Sequence, residues 1–193
     1  MLLIAAPGQG AQTPGFLAPW LELPGFADRL GAWSELAGCD LIRCGTTADA
    51  DEIRDTAVAQ PLLVAAAIAA AEDQLVTGAH PVSRQSVGVA GHSVGELAAG
   101  VLAGVITAED SMRLVRVRAQ GMAAAAAAEA TGMTAILGGD EAAVLVALEQ
   151  HGLTPANVNG AGQIVAAGTL PQLAALAEDP PPGARLRPLS VAG

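Results

Sequence analysis

The stretch Ser86-Val87-Gly88-Val89-Ala90-Gly91-His92-Ser93-Val94-Gly95-Glu96-Leu97-Ala98-Ala99-Gly100 decides how this chain is read. Residues 86–90 are short, small and apolar, the character of a buried strand. Residues 97–106 are almost wholly apolar and predict a mostly buried helix. Between them stands the pattern G-x-S-x-G, and strand, G-x-S-x-G, helix is the context of a nucleophile elbow. The reason is steric. The turn is so tight that the serine takes strained backbone angles, and its flanking positions have no room for a Cβ. Gly91 and Gly95 supply that room. The Ser93 hydroxyl then projects at the amino end of a helix, whose free N–H groups favour developing negative charge. A Gly/Ser turn also joins strands to helices with no chemistry attached; the strand before and the helix after favour the catalytic reading.

Composition narrows the class. The chain has 193 residues, 52% of them hydrophobic, and a mean hydropathy of +0.45. Buried parallel strands covered by helices account for that apolarity. The longest apolar run, residues 62–71, is about half the ~20 residues of a membrane span. The amino terminus carries no basic region and breaks at Pro7-Gly8, so no signal peptide is expected and the cytoplasm is the expected location. A net charge of −10, with nine arginines and no lysine, disfavours nucleic acid and anionic membranes as partners. Cys39 and Cys44 lack a second pair for a metal site, and neither a metal nor a disulfide is expected.

Taken in order, the residues before Pro7 predict a first strand, followed by the loop Pro7-Gly8-Gln9-Gly10-Ala11-Gln12. A dinucleotide fingerprint needs a third glycine at position 13, which is Thr13, so that reading fails. A tight loop remains that lets a ligand approach the backbone, and in elbow folds such a loop donates an N–H to the oxyanion hole. Residues 26–37 have helical spacing, with Trp33 and Leu36 on the apolar side. A short polar helix is expected from Asp49. Gln60-Pro61 introduces an apolar helix to about Val76, with Pro in its first turn; a site role for Gln60 and a plain helix-start role weigh equally. Residues 77–85 read as a polar loop. A further helix begins at Thr107 and runs through Arg113, Arg116 and Arg118 into the alanines of 123–128. From Gly132 the order becomes strand, helix, a hairpin over Gly160-Ala161-Gly162, helix and strand, the β-α-β-β-α-β arrangement called ferredoxin-like.

Three separated motifs then converge. Pro7-Gly8-Gln9-Gly10-Ala11-Gln12, Gly91-His92-Ser93-Val94-Gly95-Glu96 and Arg113-Leu114-Val115-Arg116-Val117-Arg118-Ala119-Gln120-Gly121-Met122 together resemble the malonyl-CoA:acyl-carrier-protein transacylase family. The run from Asn157 to Gly168 is similar to that family's small-subdomain hairpin. The resemblance implies an α/β fold: a parallel-sheet, α/β-hydrolase-like core, incomplete here (residues 1–127), with an inserted ferredoxin-like subdomain (residues 128–192). It implies malonyl-CoA as substrate, acyl carrier protein as partner and no tightly bound cofactor, in fatty-acid or polyketide synthesis. Ser93 matches the nucleophile, the backbone N–H groups of Gln9 and Val94 the oxyanion hole, and Arg118 the arginine that holds the malonyl carboxylate. His92 and Asn159 fall in motifs lining the acyl and pantetheine pocket. Valine at position 94 matches malonyl-selective members. On sequence chemistry alone, Arg118 reads as a helix arginine paired with an acid; the motif spacing reverses that.

A serine nucleophile needs a base, normally histidine. His92 is adjacent to Ser93 and diverges from it, His80 sits in a loop, and His151 ends a helix, where a cation suits the dipole. In the family the catalytic histidine lies just beyond the small subdomain, and residues 188–193 resemble the run-up to it. The expectation is therefore an amino-terminal portion without its base, inactive or nearly so alone, and poorly soluble through exposed apolar surface. Two alternatives stand beside transfer: a serine esterase, and a non-catalytic fragment that binds coenzyme A or carrier protein.

Overall fold

The computed structural model describes residues 2–77 and 87–189, the side chains of 75–77 excepted. His80 with its loop, Ser86, and the residues from Ser190 onward lie outside the described residues. The fold is mixed α/β, with one parallel and one antiparallel sheet. The chain divides into two compact units, Met1–Gly121 and Met122–Gly193.

In the first unit, strands β1 (Leu2–Ala6) and β2 (Val87–Gly91) pair in parallel, with Ala6 opposite Gly91. Between them in sequence come α1 (Phe26–Ala37), α2 (Leu41–Thr46) and α3 (Thr56–Thr77); α4 (Gly95–Leu102) and α5 (Ala108–Ala128) follow β2, the residues of α5 from Met122 on belonging to the second unit. Phe26, Leu30, Trp33 and Ala37 of α1 are buried at the i, i+4, i+7 spacing of one helix face. Gly38, with φ of 76°, ends α1 by donating its N–H to Ser34 O. Asp40 then caps α2, its carboxylate accepting from Arg43 N at 3.0 Å. Cys39 and Cys44 are both free thiols at this junction.

Helix α3 is the spine of this unit. Leu62, Val64, Ala65, Ile68 and Ala69 are fully buried, and a helix apolar all round belongs in a core. Residues Thr56–Gln74 are long and apolar enough to cross a membrane by length and composition, and 67% of that window is buried in the fold. The helix starts earlier than Gln60-Pro61 predicts. Pro61 lies inside it, and burial of Thr56 and Ala59 outweighs the local preference of proline for a first turn. Conversely, α4 stops at Leu102 instead of running to Ile106. Gly104 takes a φ of 75° and donates its N–H to Val101 O at 2.9 Å, the left-handed exit typical of a helix C-terminus.

The second unit runs β3 (Thr131–Gly138), α6 (Glu141–Gln150), β4 (Thr154–Gly160), β5 (Gln163–Thr169), α7 (Leu170–Glu178) and β6 (Ala184–Leu189). Its sheet has the order β4-β5-β3-β6, every neighbouring pair antiparallel. Ile136 faces Ile164, and Thr134 faces Ala166 across β3 and β5. Ile136, Ile164 and Ala166 pack with Val144 and Leu148 of α6 and Leu176 of α7 into a core. The β4–β5 turn holds Gly160, Ala161 and Gly162 all at positive φ, the backbone a tight hairpin needs. His151 is the C-cap residue of α6.

Candidate active site

The elbow follows from two strand ends meeting. His92 N donates to Ala6 O at 3.0 Å, and Gly95 N and Glu96 N donate back to His92 O and Ser93 O at 3.0 and 3.1 Å. Ser93 is forced to a φ of 54°, the left-handed region that a non-glycine residue occupies only when its surroundings over-determine it. Those surroundings are backbone. A Cβ on Gly95 would stand 2.6 Å from Pro7 O and closer still to Ala6 O; one on Gly91 would overlap the peptide between Gly95 and Glu96. Gly95 is where β1 and its loop press on the turn, and Gly91 is where the turn folds back on itself.

The same loop lies over His92. A Cβ on Gly8 would meet His92 Nδ1 at 2.5 Å and His92 O at 3.1 Å. This fixes the path of Pro7-Gly8-Gln9-Gly10 along the elbow. Gln12 closes the loop: its Oε1 accepts from Gly10 N, and its Nε2 donates to Ile53 O, both at 2.9 Å. Val94 is the N-cap residue of α4 and is buried at 1% exposure. Its N–H sits at the end of the helix where donors lack helical partners. Ser93 and His92 themselves are exposed.

Arg118 arrives from α5. Ser111, Met112, Val115 and Ala119 form the buried stripe of that helix, and Arg118, seven residues after Ser111, flanks it. Its Nη2 donates to Ser93 Oγ at 3.1 Å, and its Nη1 donates to Gln60 Oε1. Among the described residues Arg118 has no acid partner, whereas Arg43 pairs with Glu52, Arg54 with Asp51 and Arg113 with Asp110. Arg116 reaches instead across Gly38 to Glu35 O at 3.5 Å.

Ser93, Gln9, Val94, His92 and Arg118 thus belong to one neighbourhood of the first unit. Asn159 belongs to the second unit, where its Nδ2 donates to Gln163 Oε1 at 3.1 Å across the β4–β5 hairpin. Gln60, left open by sequence, stands on the guanidinium. Thr56, which sequence passed over, accepts from Gln9 Nε2 at 3.0 Å. The available signal was two polar residues four apart on an apolar helix. Among the described residues no cluster of three His, Cys, Asp or Glu side chains has the arrangement of a metal site.

A guanidinium bonded to a strained elbow serine is suited to acyl groups that carry a negative charge. Comparison with known proteins meets the same chemistry: residues 6–180 match the acyl transferase domain. The chain belongs to the acyl transferase domain family. Over all 193 residues it is 56% identical to a malonyl CoA-acyl carrier protein transacylase of Mycobacterium tuberculosis. Among solved structures of acyl transferases, the crystal structure of MCAT from Mycobacterium tuberculosis superimposes with a TM-score of 0.89 at 56% identity, over 100% of this chain and 63% of that one. A malonyl-transacylase solved in complex with a type II PKS acyl-carrier protein follows at a TM-score of 0.82 and 30% identity, over 99% of this chain and 63% of that one. The chain spans 63% of the length of the Mycobacterium tuberculosis relative.

Proposed function

We propose that this chain carries the nucleophile, the oxyanion donors and the carboxylate clamp of an enzyme that transfers malonyl groups from coenzyme A to an acyl carrier protein. The observation that carries the reading is the Arg118 hydrogen bond to Ser93 Oγ at 3.1 Å. An uncharged acyl ester gives no reason to place a guanidinium against the nucleophile. A malonyl group does, because its free carboxylate must be desolvated beside the reacting carbonyl, and a planar guanidinium meets it with two parallel hydrogen bonds.

In this mechanism Ser93 Oγ attacks the thioester carbonyl, the C–S bond breaks, and coenzyme A leaves as the thiol with the serine proton. The malonyl-serine ester is then attacked by the carrier's phosphopantetheine thiol, which takes the acyl group and returns the proton to Ser93. The N–H groups of Gln9 and Val94 stabilise the oxyanion in both steps. His92 and Asn159 are the residues that the family resemblance assigns to acyl and pantetheine binding. No residue of this chain is assigned as general base. Fatty-acid or polyketide synthesis supplies the carrier protein, and the cytoplasm is the location consistent with these soluble substrates. Residues 1–127 form an α/β-hydrolase-like subdomain in this reading, and residues 128–192 a ferredoxin-like one, a reading supported by the β4-β5-β3-β6 order and the β-α-β-β-α-β sequence.

The test is substrate preference. Acylation of Ser93 in the full-length protein is followed by intact mass with malonyl-CoA and acetyl-CoA in parallel. Arg118→Ala is expected to lower the malonyl-over-acetyl preference about a hundredfold, the loss of two charge-assisted hydrogen bonds at roughly 1.5 kcal/mol each. Unchanged preference in Arg118→Ala would point to a general acyl hydrolase, and no mass gain in the wild-type chain to a binding module.

A further inference from the structure

Two buried polar residues on α3 have no part in the transfer chemistry described above. Thr56 is 3% exposed and Gln60 is 1% exposed, one helical turn apart and on the same face. Polar groups at that depth are kept only where hydrogen bonds repay their desolvation. Their bonds run in a line. Arg118 Nη1 donates to Gln60 Oε1, Gln60 Nε2 donates to Gln9 Oε1 at 3.3 Å, and Gln9 Nε2 donates to Thr56 Oγ1 at 3.0 Å.

We propose that Thr56, Gln9 and Gln60 are positioning residues for Arg118, forming one polarised hydrogen-bond chain that sets the acyl-carboxylate preference of the site. The polarity has a single source. A guanidinium only donates, so Gln60 must present its carbonyl oxygen to Arg118. Its amide nitrogen then faces Gln9, which must in turn present its own carbonyl oxygen. The Gln9 amide nitrogen is left as a donor, and Thr56 Oγ1 ends the chain as acceptor. Reversing any one amide sets donor against donor somewhere along the line. The chain also joins two parts of the site: the Gln9 side chain anchors the loop whose backbone N–H serves the oxyanion, and Gln60 anchors the clamp. Placement of one is therefore tied to placement of the other.

This inference rests on Arg118 acting as the carboxylate clamp. Its test uses the full-length protein and the same malonyl-over-acetyl acylation ratio. Thr56→Val keeps the shape and removes the acceptor; Gln60→Glu keeps the shape and places a competing carboxylate on Arg118. Each is expected to lower the ratio about fivefold or more, the value of one hydrogen bond in the chain. Thr56→Ser, which restores the oxygen, is expected to keep the wild-type ratio. On an Arg118→Ala background, Thr56→Val is expected to change the ratio no further. A Thr56→Val ratio equal to wild type, an equal loss in Thr56→Ser, or an undiminished effect on the Arg118→Ala background overturns the chain. Those results leave the clamp reading standing so long as Arg118→Ala alone still removes the preference. If Arg118→Ala leaves it intact, the clamp reading fails first.

Discussion

Replacing Gly95 by alanine tests the account of the elbow most directly, because two effects of known sign oppose each other there. Gly95 opens α4, so alanine gains up to about 1 kcal/mol in helix propensity. Against that, the new methyl would stand 2.6 Å from Pro7 O and nearer to Ala6 O. Both obstacles are backbone, and Ala6 is also tied to the elbow through His92 N at 3.0 Å, so neither can swing aside as a side chain would. Overpacking of this kind costs about 1–3 kcal/mol and occasionally more, and rigid neighbours place it at the upper end. The net expectation is a loss of about 2 kcal/mol, roughly thirtyfold in the folded-to-unfolded ratio. Gly31→Ala is the internal control. Gly31 lies within α1 with nothing near its would-be Cβ, so alanine there should stabilise by about 0.5–1 kcal/mol. Both tryptophans, Trp20 and Trp33, lie in the same unit as Gly95, so urea denaturation followed by tryptophan fluorescence reads the right part of the molecule. A Gly95→Ala chain as stable as wild type, or stabilised like Gly31→Ala, would refute the claim that β1 presses on the elbow.

Other consequences are simpler. Burial, chiefly, pushes the Cys39 thiol up to about 12, with Cys44 and Asp40 adding to the shift and Arg43 opposing it. Cys39 should then resist alkylation at pH 8–9, and its contribution to stability should be intact below about 8.5 and lost as pH rises towards 12; mass-resolved alkylation and denaturation at stepped pH check both. In the second unit, Thr169 and Gln172 form a reciprocal capping box on α7. Thr169→Ala should cost about 1 kcal/mol, measurable by far-UV circular dichroism on heating, whereas Thr169→Ser should cost much less. Leu148 is fully buried in the second core, and Leu148→Ala should cost about 2–5 kcal/mol in the same assay.

Particular elements explain why some expectations held and others moved. The start of α5 was legible because its cap is local: Thr107 Oγ1 accepts from Asp110 N at 3.1 Å. The early start of α3 was not, since nothing within four residues of Pro61 outweighs its preference for a first turn. The weight comes from burial of Thr56 and Ala59 against other elements. Helix α2 carries no periodic signal because its six residues, Leu41–Thr46, are too few for one. The end of α4 could have been read from Gly104, whose left-handed φ is a common helix stop.

By itself the sequence determined the elbow and the order of the strands and of every α-helix but α2. Those features are written in glycines, caps and apolar spacing a few residues apart, and short-range sterics act at that range. It also pointed to Ser93, and the family resemblance of the stretch before Met122 added Arg118. What it left undecided was the company Arg118 keeps. Gln9, Thr56, Gln60, Ser93 and Arg118 come from a loop, two turns of α3, an elbow and α5, and only packing of those elements brings their polar atoms within hydrogen-bond reach. A hydrogen bond forms over about 3 Å and carries no trace in the local sequence of either partner, so that part of the site had to come from the tertiary structure.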